Sequence, residues 1–278
     1  MKSFKDKVAV ITGAGSGIGQ ALALALAKEG AQLAISDINE GQVAETARQC
    51  SALGAKVSHY KLDVGNRDAI YAHADAVVKA FGRVNLVINN AGVAVNASVR
   101  ETTDADFEWL MNINFWGVIH GTRAFLPHLT TSGEGHVVNV SSIFGMIGVP
   151  KQSAYNAAKF AVRGFTESLR QEMVNEGSAV GVSCVHPGGV RTNIANAARK
   201  GASDAHRDLG SAFEKVAKTT PDKAASIILA GVRRNQSRIF VGADAKALDF
   251  MQRLLGSGYQ KIIGPGFERQ IKLLSKHS

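Results

Sequence analysis

Short apolar runs alternate along this chain with segments whose apolar positions recur at helical spacing. Residues 7–12, 31–37, 55–63, 84–90, 136–141 and 180–186 read as strands. Helices are expected over 17–29, 40–53, 67–81, 104–129 and 153–175. The strands are continuous runs rich in Val and Ile, not alternating ones, which is the mark of a parallel sheet covered on both faces. Strand–helix alternation of this kind predicts an α/β fold. The expected architecture is a doubly wound parallel sheet of the Rossmann type, about seven strands with helices on both faces.

After Pro187 the pattern loosens. Residues 188–220 are small or polar with weak periodicity, and their place after a strand's carboxyl end suits a mobile lid. Pro221 then opens a helix to about 234. A last strand is expected over 238–241 and an amphipathic helix over 245–255, with Leu248, Met251, Leu254 and Leu255 on one side. No repeat or long linker interrupts the chain. One catalytic domain over 1–278 is the simplest division, with a lid about 188–220 and a C-terminal extension about 242–278.

The composition is that of a soluble globular protein, 45% hydrophobic and 20% charged, with no apolar run of membrane-spanning length. The first residues are too charged, and the apolar run after them too short, for a secretory signal. Two cysteines, Cys50 and Cys184, match no metal spacing, so a cytoplasmic protein without a metal site is expected. The formal charge of +9 is concentrated at one end: 15 Lys/Arg stand against 7 Asp/Glu from Arg199 to Ser278. That excess reads as a solvated basic surface, or as attraction to an acidic partner such as a membrane surface. No zinc-finger spacing or basic–aromatic interleaving points to nucleic acid.

The first strand runs into Thr12-Gly-Ala-Gly-Ser-Gly-Ile-Gly19. Gly13 permits a sharp turn, and Gly17 lets the backbone approach a pyrophosphate. Gly19 lets the next helix pack close to the sheet, and that helix presents free N–H groups to phosphate. Asp37 closes the second strand, where a carboxylate accepts hydrogen bonds from ribose hydroxyls and repels a 2′-phosphate. Ile38 follows where a basic residue would hold that phosphate, and Ser16, not a cation, sits in the turn. Together these favour NAD over NADP. Asp63 and Val64 end the third strand and Asn90, Ala91 and Gly92 the fourth, at the sheet's carboxyl edge where ligands bind in this architecture. Each could also be an ordinary turn.

Ser142 follows the fifth strand, Tyr155 lies thirteen residues on, and Lys159 four after that. The last spacing puts a phenol and an ammonium on one helix face. A phenol titrates near about 10, too high for a base at neutral pH. A neighbouring ammonium and a cationic nicotinamide both favour the phenolate. Tyr155 is therefore the expected general acid/base, and Ser142 the donor that fixes the reacting oxygen.

With these residues in view, the chain resembles the short-chain dehydrogenase/reductase family in its compact single-domain branch. The likeness runs from about 7 to 192 and more loosely to 241. It rests on the glycine turn at 12–19 (Gly13, Ser16, Gly17, Ile18 and Gly19 on the cofactor side), Asn89-Asn90-Ala91-Gly92, and Asn114 in Asn112-Ile-Asn-Phe. Ser142, Tyr155 and Lys159 complete it, with Pro187-Gly188, Val190 and Thr192 on the nicotinamide side. The resemblance implies that Asn114 holds a water linking the lysine to solvent, and that Lys159 also bonds the nicotinamide ribose. It implies a homodimer or homotetramer paired through the helices at 104–129 and 153–175. The chain departs from the family by continuing 37 residues past Val241. Leu254, Leu255, Tyr259, Ile262, Ile263 and Phe267 there suit core or interface packing, or lipid contact.

The loop at 143–149, with Val93, Val95 and Val190, is the expected substrate wall. No clustered Arg or Lys stands ready to clamp an acid. The expected substrate is a neutral, fairly apolar secondary alcohol or ketone. His120, His128 and His136 read as structural, Trp109 and Trp116 as interface or core, and His186 as a shaper of the pocket. A nucleotide-sugar epimerase is disfavoured by the gap from Gly13 to Gly17, the Asn-Asn-Ala-Gly run and the lack of a large C-terminal substrate domain. A non-enzymatic NAD-binding or scaffold protein on the same fold is the alternative that the complete catalytic set argues against.

Overall fold

The computed structural model describes residues 1–202 and 217–266. Seven parallel strands form one sheet in the spatial order β3-β2-β1-β4-β6-β7-β9. They are β1 (Val8–Thr12), β2 (Gln32–Asp37), β3 (Val57–Lys61), β4 (Leu86–Asn89), β6 (Gly135–Val140), β7 (Val180–Pro187) and β9 (Arg238–Val241). The helices between them are α1 (Gly17–Lys28), α2 (Glu40–Ala52), α3 (Arg67–Phe81), α4 (Asp104–Met111), α5 (Gly117–Thr131), α6 (Ser153–Asn175), α7 (Pro221–Arg233) and α8 (Ala243–Leu255).

The expected Rossmann architecture is what forms, and the continuous apolar strands are buried as that pattern requires: all five residues of β1 and all six of β6 are buried. The exception is β3, an edge strand whose residues are half-buried or exposed, so one flank meets water. Two apolar layers enclose the sheet. One packs α1 and α7 against Ile11, Leu33, Ile88 and Ile239, and the other packs α3 and α5 against Val10, Val87, Val137 and Val182.

Side-chain caps start four of these eight helices. Asn39, Asn66, Thr103 and Thr220 accept from backbone N–H groups three residues on, and Pro221 occupies the first turn of α7. Helix α1 differs: Ser16 makes no side-chain cap and no acidic residue stands in its first turn.

Two departures from the sequence reading shape the site. The helix expected over 104–129 contains a π-helical stretch, Asn112–Trp116, between α4 and α5. There the Asn114 amide leaves the helix to bond the backbone of Val93 both ways, at 2.8 Å each, and an extra residue enters the turn. The segment expected as a loose lid is also tied at its base. A two-residue strand β8 (Arg199–Lys200) pairs with β5 (Val95–Asn96), and Arg191 N donates to Thr219 O while Thr219 N donates to Gly189 O. The middle of that segment, 203–216, lies outside the described residues, as does 267–278 with Phe267.

The basic C-terminal end is partly neutralised within the chain. Arg199 pairs with Asp106, Arg233 with Glu29, Arg238 with Glu167 and Arg253 with Asp249. Arg199 also lies over the Trp109 ring at 3.6 Å. No described helix is long and apolar enough to cross a membrane.

Candidate active site

The strand order reverses between β1 and β4, and the site forms at their carboxyl ends, where such a reversal opens a crevice. The glycine turn leaves β1 with Gly13 at φ +65° and Gly17 at φ +57°. A Cβ on Gly19 would stand 2.1 Å from Gly13 O, a distance only glycine avoids. Asn90 and Ala91 lie directly against this turn. Asn90 Nδ2 donates to Thr12 O and Gly13 O at 3.0 and 3.1 Å, and the backbone N–H groups of both residues donate to Thr12 Oγ1 at 3.1 Å. The Asn90 side-chain NH2 thus braces the turn against which the cofactor is expected.

Asp37 reaches the same turn from β2. Its Oδ2 accepts from Gly15 N and its Oδ1 from Asn39 N, both at 2.9 Å. Asp63 is exposed, its Oδ1 accepting from Gly65 N at 2.8 Å. Val64 is buried, and a Cβ on Gly117 would meet its carbonyl at 2.9 Å. From the far side Thr192 arrives, its Cγ2 3.1 Å from where a Cβ on Gly17 would stand. Pro187 and Val190 are buried, Val190 in the core beside the sheet. A partly exposed Ile18 packs against that same core. These residues fit a dinucleotide: the glycine backbone is bare, the α1 N-terminus is uncapped by side chains, and a fixed carboxylate stands at the end of β2.

Ser142, Tyr155 and Lys159 come together beside this groove. Ser142 is the N-cap of a short 3₁₀ turn, its Oγ accepting from Phe144 N at 3.1 Å, and its hydroxyl lies near enough to the Tyr155 phenol to act on its titration. Lys159 is buried, with Nζ 5.6 Å from the Tyr155 ring centroid and donating to Val140 O at 2.9 Å. Gly92 closes the cluster: a Cβ there would stand 3.2 Å from Asn114 Oδ1 and 3.6 Å from Lys159 Nζ.

At the phenol, burial acts against the neighbour effects that the sequence suggests. Burial pushes Tyr155 up to about 12, and the Ser142 hydroxyl pulls the other way. Burial pushes Lys159 down to about 8. Desolvation of both charged forms outweighs the neighbour effect that spacing alone suggests, and a cation brought against the phenol would oppose it.

Several residues support the site through contacts that the sequence reading does not show. Asn89 Nδ2 donates to Asn139 Oδ1 at 2.8 Å and Thr122 Oγ1 at 3.0 Å, and Asn139 Nδ2 donates to Thr166 Oγ1 at 3.1 Å. This buried chain pins α5 and α6 to β4 and β6 under the site. Asn156, beside Tyr155, holds the loop after β6: its Nδ2 donates to Phe144 O and Ile147 O, and its Oδ1 accepts from Val149 N. His186 is fully buried, stacks on Phe240, and donates from Nδ1 to Ser142 O at 3.0 Å, so it positions the strand end that carries the serine. Asp244 Oδ2 accepts from Gly189 N at 2.6 Å, and its carboxylate lies where a Cβ at 188 would stand.

The family model described as short chain dehydrogenase matches residues 7–203. The chain is 51% identical to the putative oxidoreductase SadH of Mycobacterium tuberculosis over 96% of its own length and 97% of that protein's. It is 32% identical to human estradiol 17-beta-dehydrogenase 11 over 94% and 83%. A crystal structure of a short-chain dehydrogenase/reductase from Burkholderia phymatum in complex with NAD superposes with a TM-score of 0.84 at 34% identity, covering 92% of this chain and 95% of that one. The fold and site define an oxidoreductase. The chain belongs to the short-chain dehydrogenase/reductase family.

Proposed function

We propose that this chain transfers hydride between NAD(H) and a neutral, fairly apolar secondary alcohol or ketone, with Tyr155 as general acid/base. The observation that carries the reading is a buried Lys159 with its Nζ 5.6 Å from the Tyr155 ring centroid, next to the Ser142 hydroxyl, at the crevice that the glycine turn borders. When bound, NAD(H) supplies the acceptor or donor of hydride. The chain's own residues handle the proton. In reduction, Tyr155 Oη gives its proton to the carbonyl oxygen, whose C=O π pair becomes the new O–H bond. In oxidation, the phenolate takes the hydroxyl proton. Ser142 Oγ donates to the same oxygen and holds it against the phenol, and the Lys159 ammonium offsets the phenolate charge.

Asp37 supports NAD as the partner, since its carboxylate is fixed by two backbone N–H groups where the ribose would lie. The Burkholderia phymatum relative carries NAD in its crystal structure. Asp37→Ala is expected to weaken NADH binding roughly tenfold or more, as losing a charge-assisted hydrogen bond does, and to narrow the gap to NADPH. Fluorescence titration with both nucleotides measures this, and an unchanged NADH affinity counts against the assignment. Apolar substrates are supported by the loop at 143–149, Ile-Phe-Gly-Met-Ile-Gly-Val, which follows Ser142 and carries no charged residue. A single catalytic domain with the 188–220 segment as its lid belongs to the same proposal. So does pairing of copies over α4–α6, where Phe107, Trp116 and Phe160 stand exposed.

The test is NADH absorbance with a mixed panel of alcohols and ketones. Turnover confined to uncharged apolar substrates is the expected result. A panel in which only charged sugars or carrier-linked acyl groups react overturns the substrate class.

A further inference from the structure

Past β9 the chain folds back on the loop that follows Ser142. Helix α8 leads into a 3₁₀ turn, Gly256–Tyr259, and Tyr259 is 8% exposed. Its phenol oxygen accepts from Gly148 N at 2.8 Å, a bond between positions 111 apart in sequence. Its ring joins Ile143, Met146, Ile147, Val149 and Ala245 in one apolar cluster, backed by Leu248, Met251 and Ile263. Leu254 and Leu255, expected on the same buried side, are instead exposed, so the contact is made by the residues that face the loop.

The loop is thereby held from two directions. Asn156, on the helix that carries Tyr155, takes the backbone groups of Phe144, Ile147 and Val149. Tyr259 takes the remaining inward N–H, that of Gly148, between two of those anchor points. One tether comes from the catalytic helix and the other from outside the Rossmann core. The loop's first turn is held to Ser142 by its own bonds, from Phe144 N and Gly145 N, and its far end at 147–149 by these two tethers.

We infer that Tyr259 is a positioning residue for substrate: the C-terminal segment sets the height of the 143–149 wall through its bond to Gly148 and so tunes affinity for the apolar part of the substrate. The inference rests on the proposed dehydrogenase function. Tyr259 touches neither the phenol of Tyr155 nor the glycine turn, so its loss should reach substrate binding and leave the cofactor and the proton transfer alone. The segment that exceeds the family pattern acquires a definite role, as half of the substrate wall's support.

Tyr259→Phe removes the oxygen and keeps the ring. Losing one neutral hydrogen bond is worth about a three- to tenfold change. The expected result is a KM for apolar ketones raised by about that factor, with kcat and the NADH dissociation constant within twofold of the parent. Hydrogen–deuterium exchange over 143–149 should quicken by a similar factor while core peptides from β4 and β6 stay protected. Unchanged exchange in that loop overturns the tether, and an unchanged KM overturns the effect on substrate. A parallel fall in kcat, NADH affinity and core protection marks general loosening and overturns it as well. Absence of any turnover in the parent protein would refute the dehydrogenase reading on its own, and the exchange comparison would still decide the tether.

Discussion

Tyr155→Phe is expected to lower turnover by about two to four orders of magnitude, the usual share of a placed proton donor, with NADH affinity within about twofold of the parent. Removing the oxygen leaves the ring, its edge contact with Phe144 at 6.3 Å between centroids, and the packing of α6 unchanged. Only the proton path is lost. Steady-state assays in both directions, with a separate nucleotide titration, make the comparison, and undiminished turnover in the variant overturns the acid/base assignment. The pH dependence should carry the same signature. Because burial raises the phenol, Tyr155 is protonated at neutral pH and ready to donate, so reduction proceeds there. Oxidation needs the phenolate and should climb with pH, and that climb should vanish in the residual activity of Tyr155→Phe. Ser142→Ala should sit between the two, since the phenol remains but the reacting oxygen is no longer held.

A second large effect is expected on stability in mild acid. Burial pushes His73 and His186 down to about 4 and His136 down to about 3. Unfolded, each titrates near about 6.5. Between about pH 6.5 and 4 the unfolded chain therefore binds up to three protons that the folded chain refuses, and linkage makes stability fall as pH falls. At about 1.4 kcal/mol per proton per pH unit, the limiting slope is about 4 kcal/mol per pH unit. Denaturant titrations at stepped pH measure it. His73 packs edge-on to Tyr60 at 4.7 Å and to Phe125 at 6.0 Å, and neither ring nitrogen has a hydrogen-bond partner in the protein. His73→Leu should remove about one proton from the slope. A slope that stays the same in this variant would show that other groups drive the acid transition. The same burial explains His186: it is a neutral donor to Ser142 O, a structural brace and not an acid or base at neutral pH.

Much of the candidate site is readable without coordinates because its parts are local. The glycine turn is one continuous stretch, Tyr155 and Lys159 share a helix face through a spacing of four, and Ser142 follows a strand whose apolar pattern is plain. The helix ranges 67–81 and 153–175 and the strand at 238–241 agree between sequence and structure, since the apolar periodicity there leaves no competing choice. The residues that could not be read act across long separations. Asn156, Tyr259, Asp244, Asn139 and Thr166 carry no motif, and each matters because folding sets it against a group distant in sequence. The π turn at Asn112–Trp116 is of the same kind, drawn out by Val93 some twenty residues earlier.

By itself, then, the sequence determined the parallel sheet, the phosphate-seeking turn, and the phenol–ammonium–hydroxyl set, because hydrophobic periodicity and fixed short spacings act within a few turns or one strand. Tertiary structure alone decided which way the phenol's titration is pushed, what holds the substrate wall, and where the C-terminal segment goes. Desolvation and hydrogen bonding depend on everything packed around a group, and those neighbours are chosen only when distant parts of the chain meet.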